Sequence, residues 1–375
     1  MSEQTIRHAH KKPSRKKVIL TILFVLVNIG VIAATAIVEF SKNTSEVKRI
    51  PFLGLDFRYL FAAVACVVVF YASETTKHMI MMRHMLGKPD LKTAFQVTVV
   101  GKYYDNVTPL GAGGQPFQIF FLSKRGLPKG AAASMPILAF TTANFGFVIL
   151  ALLVFIINPG AIDSMVVRVS AWIGLAFYAA VPFAIIIFTI APKFAKGVFC
   201  FFIHLFAKLR LIKDEEKSKE GTLRSMNEYR DVIRSVANRE GMRVIALLLL
   251  LSLVYYIALC LMPHYVLRAF GGAAGWFQSF CITVYIYAAV TFIPTPGNAG
   301  AAEGTFYALF SVLTGAYLFW AMLVWRFFCY YLFLVMGGLV FAYNALQARR
   351  ARKALPAPEN VIEAQPEDGS TNLSE

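Results

Sequence analysis

The chain has 375 residues, of which 58% are hydrophobic and 15% charged, and its formal net charge is +16. Soluble proteins average roughly 45–50% apolar residues, so this composition indicates an integral membrane protein and excludes an ordinary soluble enzyme. The positive charge does not indicate a nucleic-acid partner, because the Lys and Arg residues fall mainly in short connections between apolar runs and accompany no RNA- or DNA-binding motif.

Six apolar runs are long enough to cross a bilayer, since each reaches the ~20 residues that ~30 Å of hydrocarbon requires. They cover residues 18–40, 57–76, 131–157, 166–190, 243–266 and 319–346. With the N-terminus inside, the connections on that side hold 29 Lys and Arg residues, and the opposite connections hold 4. The positive-inside rule therefore predicts a multi-pass protein with both termini in the cytoplasm.

The ends of the chain are expected to lie outside the membrane domain 18–346. Residues 1–17 are basic and cytoplasmic, and the run that follows exceeds the about 7–15 apolar residues of a signal peptide, which indicates a retained anchor. Residues 347–375 form a cytoplasmic tail; from residue 354 it is acidic, and its composition is typical of disorder. The five cysteines form no C-x-x-C pair and are interpreted as buried thiols.

Two further apolar stretches, 91–123 and 276–318, are each interrupted by proline and glycine. Residues 107–116 read VTPLGAGGQP and residues 293–303 read IPTPGNAGAAE. Neither cluster can continue a helix, because proline lacks a donor N–H and glycine has a poor helical preference. We expect each stretch to be a re-entrant helix–turn–helix hairpin that enters and leaves on one side. The alternative is two full crossings per hairpin, which gives ten spans.

The order of these segments repeats along the chain. Residues 18–157 run span, span, broken hairpin, span, and residues 166–346 follow the same order. Three full crossings is an odd number, so the second copy would be inverted and the hairpin tips would meet near the midplane, as in transporters with inverted repeats. The predicted fold is an all-α integral membrane protein: a polytopic helical bundle of two inverted repeats, each with a broken re-entrant hairpin.

The connection 191–242 is the one sizeable cytoplasmic loop in this arrangement. Met226, Tyr229, Ile233 and Val236 recur at helical spacing among arginines, which predicts a basic amphipathic helix on the anionic inner leaflet. The alternative is a solvated linker helix that folds back on the bundle.

The broken turns are the predicted substrate site. Helices starting near Pro116 and Ala302 would place free N–H groups and a positive dipole end at each tip, where glycine lets an anion approach. The expected binding residues are Thr108, Pro109, Gly111, Gly113, Gly114, Gln115 and Gln118 in the first stretch, and Thr295, Pro296, Gly297, Gly300 and Glu303 in the second. The alternative is that both hairpins serve packing only.

Few ionisable residues fall inside the apolar segments. A lone charge at the bilayer centre costs ~2.5–3.5 kcal/mol, so such groups face a cavity or a partner. Glu303 and Arg326 are predicted either to contact a lipid headgroup or to form a structural ion pair between hairpin and last span. Lys102 and Asp105 are accessory candidates near a membrane interface.

Other chemistry lacks a sequence signature. Gly111–Gly114 is not followed by the Lys-Ser/Thr of a phosphate-binding P-loop, and neither H-E-x-x-H nor G-x-S-x-G occurs. We expect no metal site, no cofactor and no catalytic residue.

In its two broken turns, with Arg326 downstream, the chain resembles the lysylphosphatidylglycerol synthase/flippase transmembrane family over about residues 15–346. Many members have Glu and Arg where this chain has Gln115 and Gln118. The resemblance implies a bacterial cell-membrane protein that moves a phospholipid or lipid-linked headgroup, of lysylphosphatidylglycerol type, between leaflets. Two-part members carry aminoacyl transfer on a C-terminal soluble domain, which residues 347–375 do not provide.

Two other functions stay open at this point. One is a lipid-modifying enzyme of the phosphatidylglycerol lysyltransferase type, acting alone or with a separately encoded synthase partner. The other is a non-catalytic regulator that uses the basic loop 191–242. Either protein could form a homo-oligomer.

Overall fold

A computed structural model describes residues 54–111, 113–208, 216, 218–220, 238–311, 313 and 317–353. The expected first span 18–40, the amphipathic helix over 226–236 and the acidic tail lie outside the described residues. The described part is helical and contains no β-strand. Five of its helical stretches are long and apolar enough to cross a membrane. The prediction of an all-α polytopic membrane protein is confirmed, whereas the inverted repeat stays a prediction.

The helices are numbered in chain order. They are α1 (Phe57–Leu86), α2 (Leu91–Val107), α3 (Gly114–Lys124), α4 (Lys129–Ile157), α5 (Met165–Ile190), α6 (Pro192–Lys208), α7 (Arg239–Ala269), α8 (Trp276–Val290), α9 (Ala301–Phe310), α10 (Leu318–Arg326) and α11 (Leu332–Lys353). A single π-helical turn, Phe327–Tyr331, joins α10 to α11. Such turns add a residue to a helix and frequently lie at functional sites.

Helix α1 is longer than its apolar run. It begins after Asp56, whose carboxylate accepts the Arg58 N–H, and it extends to Leu86. Lys77 was predicted to lie in a cytoplasmic connection, but it lies inside α1 with 0% of its side chain exposed. That prediction is wrong for Lys77, because a polar helix end cannot be distinguished from a loop by hydropathy. One lysine is therefore lost from the inside total, which leaves the predicted orientation unchanged.

Both interrupted stretches are pairs of short helices. Helices α2, α3, α8 and α9 have 17, 11, 15 and 10 residues, so at about 1.5 Å per residue each is shorter than the ~30 Å hydrocarbon core. These lengths argue against two full crossings per hairpin. A 3₁₀ turn lies at each break, at Pro109–Gly111 and at Pro296–Asn298, and the two turns pack against each other.

The long helices surround the two breaks. Helix α1 packs along α7, and α8 packs against α5 and α7. Between them lies an apolar core in which Phe70 meets Tyr255 and Phe333 edge-on, with ring centroids 5.8 and 5.5 Å apart. Phe306 of α9 stacks on Trp325 of α10 at 4.5 Å, which holds the second hairpin against the last span.

Candidate functional site

A cavity of about 380 Å³ lies where the two breaks meet. Helices α1, α2, α4, α5, α7, α8, α10 and α11 also contribute residues to its wall. The polar and charged residues that line it include Glu74, His78, Thr98, Lys102, Asp105, Asn106, Gln115, Gln118, Asn144, Tyr255, Asn298 and Arg326. The cavity therefore combines both signs of charge with neutral hydrogen-bonding groups, inside a bundle that exposes many large hydrophobic side chains.

Helix α2 presents one polar face to this cavity. Thr98, Gly101, Lys102 and Asp105 are three or four residues apart, which places them on one side of a helix, and all four line the cavity. Lys102 and Asp105 were expected near a membrane interface, and their depth in the membrane stays a prediction. The structure adds that both residues line the cavity, near the C-terminal end of α2.

The Lys102 ammonium is held by a tyrosine rather than by a carboxylate. Its Nζ donates to the Tyr255 hydroxyl at 3.0 Å and lies 4.4 Å from the centroid of the same ring. No carboxylate of the described residues lies within 4.0 Å of it. Lys102 thus brings to the cavity a positive charge that no carboxylate of the described chain directly neutralises.

The Asp105 carboxylate caps the helix that follows the first break. Its Oδ1 accepts the N–H of Gly114, the first residue of α3, at 3.0 Å. A Cβ at position 114 would overlap this carboxylate, so only glycine permits the approach. Among the described residues, no cation lies within 4.0 Å of Asp105. Its negative charge is therefore open to a ligand.

The remaining residues of the first break build the turn. The Thr108 hydroxyl donates to the Tyr104 carbonyl at 2.7 Å and accepts the Gly113 N–H at 2.9 Å. Pro109 begins the 3₁₀ turn, and Gly111 ends it on the cavity wall. Thr108, Pro109, Gly113 and Gly114 do not line the cavity. The structure thus gives these four predicted binding residues a shaping role.

In the second break, a buried ion pair fixes the turn. Glu303 Oε1 lies 2.7 Å from Arg326 Nε, and Glu303 Oε2 accepts the Gly300 N–H at 2.7 Å. Arg326 Nη1 donates to the Gly297 carbonyl at 3.2 Å. Both charged side chains are 5% exposed. Of the two alternatives for this pair, the contacts match the structural one, in which Arg326 of the last span holds the hairpin.

Only part of the second break reaches the cavity. Gly297 and Arg326 line it, whereas Glu303, Gly300, Thr295 and Pro296 do not. The Glu303 carboxylate was expected to contact a headgroup, but both of its oxygens are engaged within the turn. Thr295 closes the turn by donating to the Ala299 carbonyl at 3.0 Å, and Pro296 begins the 3₁₀ segment.

The two helix N-termini are therefore not vacant anion sites. Asp105 occupies the start of α3 and Glu303 occupies the start of α9, so each tip already has a carboxylate of this chain at its N–H groups. The cavity groups that could attract an anion are instead Lys102 and Arg326 Nη2, and the latter is buried without a hydrogen-bond partner among the described residues. A phosphate oxygen is a suitable acceptor for both.

The hairpins and the cavity lie within a stretch that matches a known family. The sequence model for the lysylphosphatidylglycerol synthase transmembrane region matches residues 18–337. The chain belongs to this family. It is also 22% identical over 328 residues to a UPF0104 membrane protein of Archaeoglobus fulgidus, an alignment that covers 86% of this chain and 98% of that protein.

Sequence reasoning missed a buried polar cluster on α1. Glu74 Oε1 lies 2.5 Å from Lys77 Nζ, and Lys77 donates to the Ser252 hydroxyl of α7 at 3.2 Å. His78 Nδ1 lies 2.9 Å from the Glu74 carbonyl, and Glu74 and His78 both line the cavity. Their spacing of three and four residues was a signal that they share one face of a continuing helix.

Gln115 and Gln118 both lie on α3 and both line the cavity. The Gln118 amide is buried and donates from Nε2 to the Val97 carbonyl at 3.0 Å, which joins α3 to α2. Gln115 lines the cavity from the first turn of α3. Within the described ranges, no group of three His, Cys, Asp or Glu residues is arranged to hold a metal ion.

Proposed function

We propose that this protein moves a phospholipid, or another lipid with a polar headgroup, between the two leaflets of a cell membrane. The observation that carries the proposal is the charged cavity between two packed helix breaks, with Lys102 and Arg326 Nη2 both available to an anion. The family name suggests lysylphosphatidylglycerol as one candidate cargo.

Energetics support a transport role for this cavity. An ionised side chain at membrane depth costs ~2.5–3.5 kcal/mol, and such residues commonly mark substrate or ion pathways. Lys102 carries a charge but forms no ion pair with a carboxylate of the described chain, so its charge is not explained by a structural ion pair. A volume of about 380 Å³ falls within the ~300–1,000 Å³ range of small-molecule sites, which is enough for a headgroup.

The hairpins provide a route for that headgroup. Unwound backbone at membrane depth is tolerated where it lines a cavity, and both breaks do so here. In the proposed arrangement the hairpins enter from opposite sides, the headgroup passes the breaks, and the acyl chains stay in hydrocarbon. The sequence has no P-loop, so we propose that movement follows a gradient or is coupled to ions.

The test is a leaflet-resolved assay in reconstituted vesicles. Lipids labelled on an acyl chain are quenched from outside, and the rate at which the inner-leaflet label becomes quenchable is compared between protein and empty vesicles. We expect faster exchange with the wild type than with empty vesicles. In Lys102→Gln the exchange rate should fall at least tenfold, because losing about 1.4 kcal/mol of binding free energy between Lys102 and the phosphate corresponds to a factor of ten.

The matched control is Lys88→Gln, since Lys88 is an exposed lysine between α1 and α2. It should exchange lipid like the wild type. Equal rates in wild-type and empty vesicles would refute the proposal. Mass spectrometry of the same vesicles covers the alternative function: a new lipid species formed with an aminoacyl donor would indicate a lipid-modifying enzyme.

A further inference from the structure

The charges in the cavity also indicate which headgroup it accepts, if the proposed lipid movement is correct. We infer that the preferred cargo carries one phosphate and one primary ammonium and is net neutral, as in ethanolamine phospholipids. The inference comes from the way this chain arranges its buried charges, independently of any relative.

Two buried ion pairs lie around the cavity, and in each of them the two charges neutralise each other. Glu74 is neutralised by Lys77 at 2.5 Å, and Arg326 is neutralised by Glu303 at 2.7 Å. These pairs leave Arg326 with a free donor but no net charge. The charges that remain are one positive and one negative, on Lys102 and Asp105.

Lys102 and Asp105 are kept apart although they are suitably spaced to pair. Residues three apart on one helix face are close enough for an ion pair. Here the Lys102 ammonium is drawn to Tyr255 of α7, and the Asp105 carboxylate is drawn to the Gly114 N–H of α3. Separate helices therefore hold the two charges, which lie more than 4.0 Å apart and both face the cavity.

A dipolar headgroup complements this arrangement. Its phosphate would meet Lys102 and Arg326 Nη2, and its ammonium would meet Asp105. An anionic headgroup would satisfy Lys102 but leave Asp105 unneutralised in a desolvated site. A headgroup with a second ammonium would add a positive charge that no open carboxylate matches. Either mismatch costs binding free energy, because a buried charge needs a partner.

The experiment compares headgroups with the same labelled acyl chains in vesicles containing the full-length protein. The headgroups are phosphatidylethanolamine, phosphatidylglycerol and lysylphosphatidylglycerol, which carry net charges of zero, minus one and plus one. We expect phosphatidylethanolamine to exchange at least tenfold faster than the other two with the wild type. Equal rates, or faster exchange of either charged lipid, would overturn the inference.

A variant assigns the preference to Asp105. Asp105→Asn keeps an oxygen that can accept the Gly114 N–H but removes the negative charge, so the helix cap remains. We expect exchange of phosphatidylethanolamine to fall and that of phosphatidylglycerol to rise, which inverts the preference. The matched control, Asp163→Asn, alters an exposed carboxylate in the connection between α4 and α5 and should keep the wild-type preference.

The outcomes separate this inference from the function on which it rests. Exchange of all three lipids without preference would overturn the inference and leave lipid movement intact. An equal loss for every headgroup in Asp105→Asn would show that Asp105 only shapes the turn, which also overturns the inference. Failure of the wild type to exchange any headgroup above empty vesicles would refute the proposed function itself.

Discussion

The two helix breaks use the same chemistry in opposite ways. At each break a carboxylate accepts an N–H at the start of the following helix, from Asp105 at Gly114 and from Glu303 at Gly300. Glu303 is buried beside Arg326 and does not line the cavity, whereas Asp105 lines the cavity and has no cation of the described residues within 4.0 Å. One break is therefore locked to the last span, and the other keeps a charge available for a ligand.

The largest expected effect comes from removing the ion pair between Glu303 and Arg326 at the second break. Arg326→Gln leaves Glu303 buried without its counter-charge, which should lower the free energy of unfolding by about 3–5 kcal/mol. Thermal unfolding of the purified protein in detergent measures the loss as a lower midpoint. Arg58→Gln is the control, since Arg58 forms an exposed surface pair with Asp56. Restoration of stability in the double variant Glu303→Gln/Arg326→Gln would confirm that the pair is the cause, and an unchanged midpoint in Arg326→Gln would contradict the lock.

A second substitution tests the backbone of the same break. Gly297 has φ +60°, and a Cβ there would overlap the Tyr330 ring. Gly297→Ala should therefore cost about 1–3 kcal/mol of stability through strain and crowding. The control is Gly304→Ala in α9, where an added Cβ meets no heavy atom within 4 Å and should be neutral or stabilising. Equal midpoints for the two variants would mean that the second break tolerates movement.

A smaller, pH-dependent effect is expected at Asp90, a helix cap that lies outside the two breaks. Asp90 begins the first hairpin by accepting the Lys92 and Thr93 N–H groups at 3.0 and 3.3 Å. The hydrogen bond from the Thr93 hydroxyl holds the pKa of the Asp90 carboxyl below its usual value of 3.8. Because the folded-state pKa is the lower one, the cap's contribution is complete above about pH 4 and disappears as the pH falls through the folded value.

Asp90→Ala should therefore cost about 0.5–1 kcal/mol at neutral pH, at the low end for caps because Asp90 is exposed to screening solvent. Unfolding measured from pH 7 to pH 3 should show the variant approaching the wild type at the acid end. Asp90→Asn, which keeps an acceptor, should retain most of the stability and lose this pH dependence. A constant difference between Asp90→Ala and the wild type across the range would show that the charge does not matter.

The sequence was most informative where backbone chemistry is restrictive. Proline and glycine marked both breaks, because no other interpretation accommodates residues 107–116 and 293–303 inside a helix. The pairing of Glu303 with Arg326 was one of two predicted roles for these residues. The burial of Lys77 and the position of Asp105 on the cavity wall were not predicted. Both depend on how far a helix continues and which helices surround it, and local hydropathy carries neither kind of information.

The helical segment that runs from α10 through the π-helical turn to α11 contacts both hairpins. Its α10 portion contacts the second hairpin through the ion pair of Arg326 with Glu303. Its α11 portion contacts the first hairpin through two hydrogen bonds, from Lys92 to Tyr343 at 2.8 Å and from Arg125 to Asn344 at 3.1 Å. The π-helical turn lies between these two sets of contacts. One continuous helical segment thus connects both hairpins. While these contacts hold, a displacement of either hairpin must be transmitted to the other or absorbed at that irregular turn.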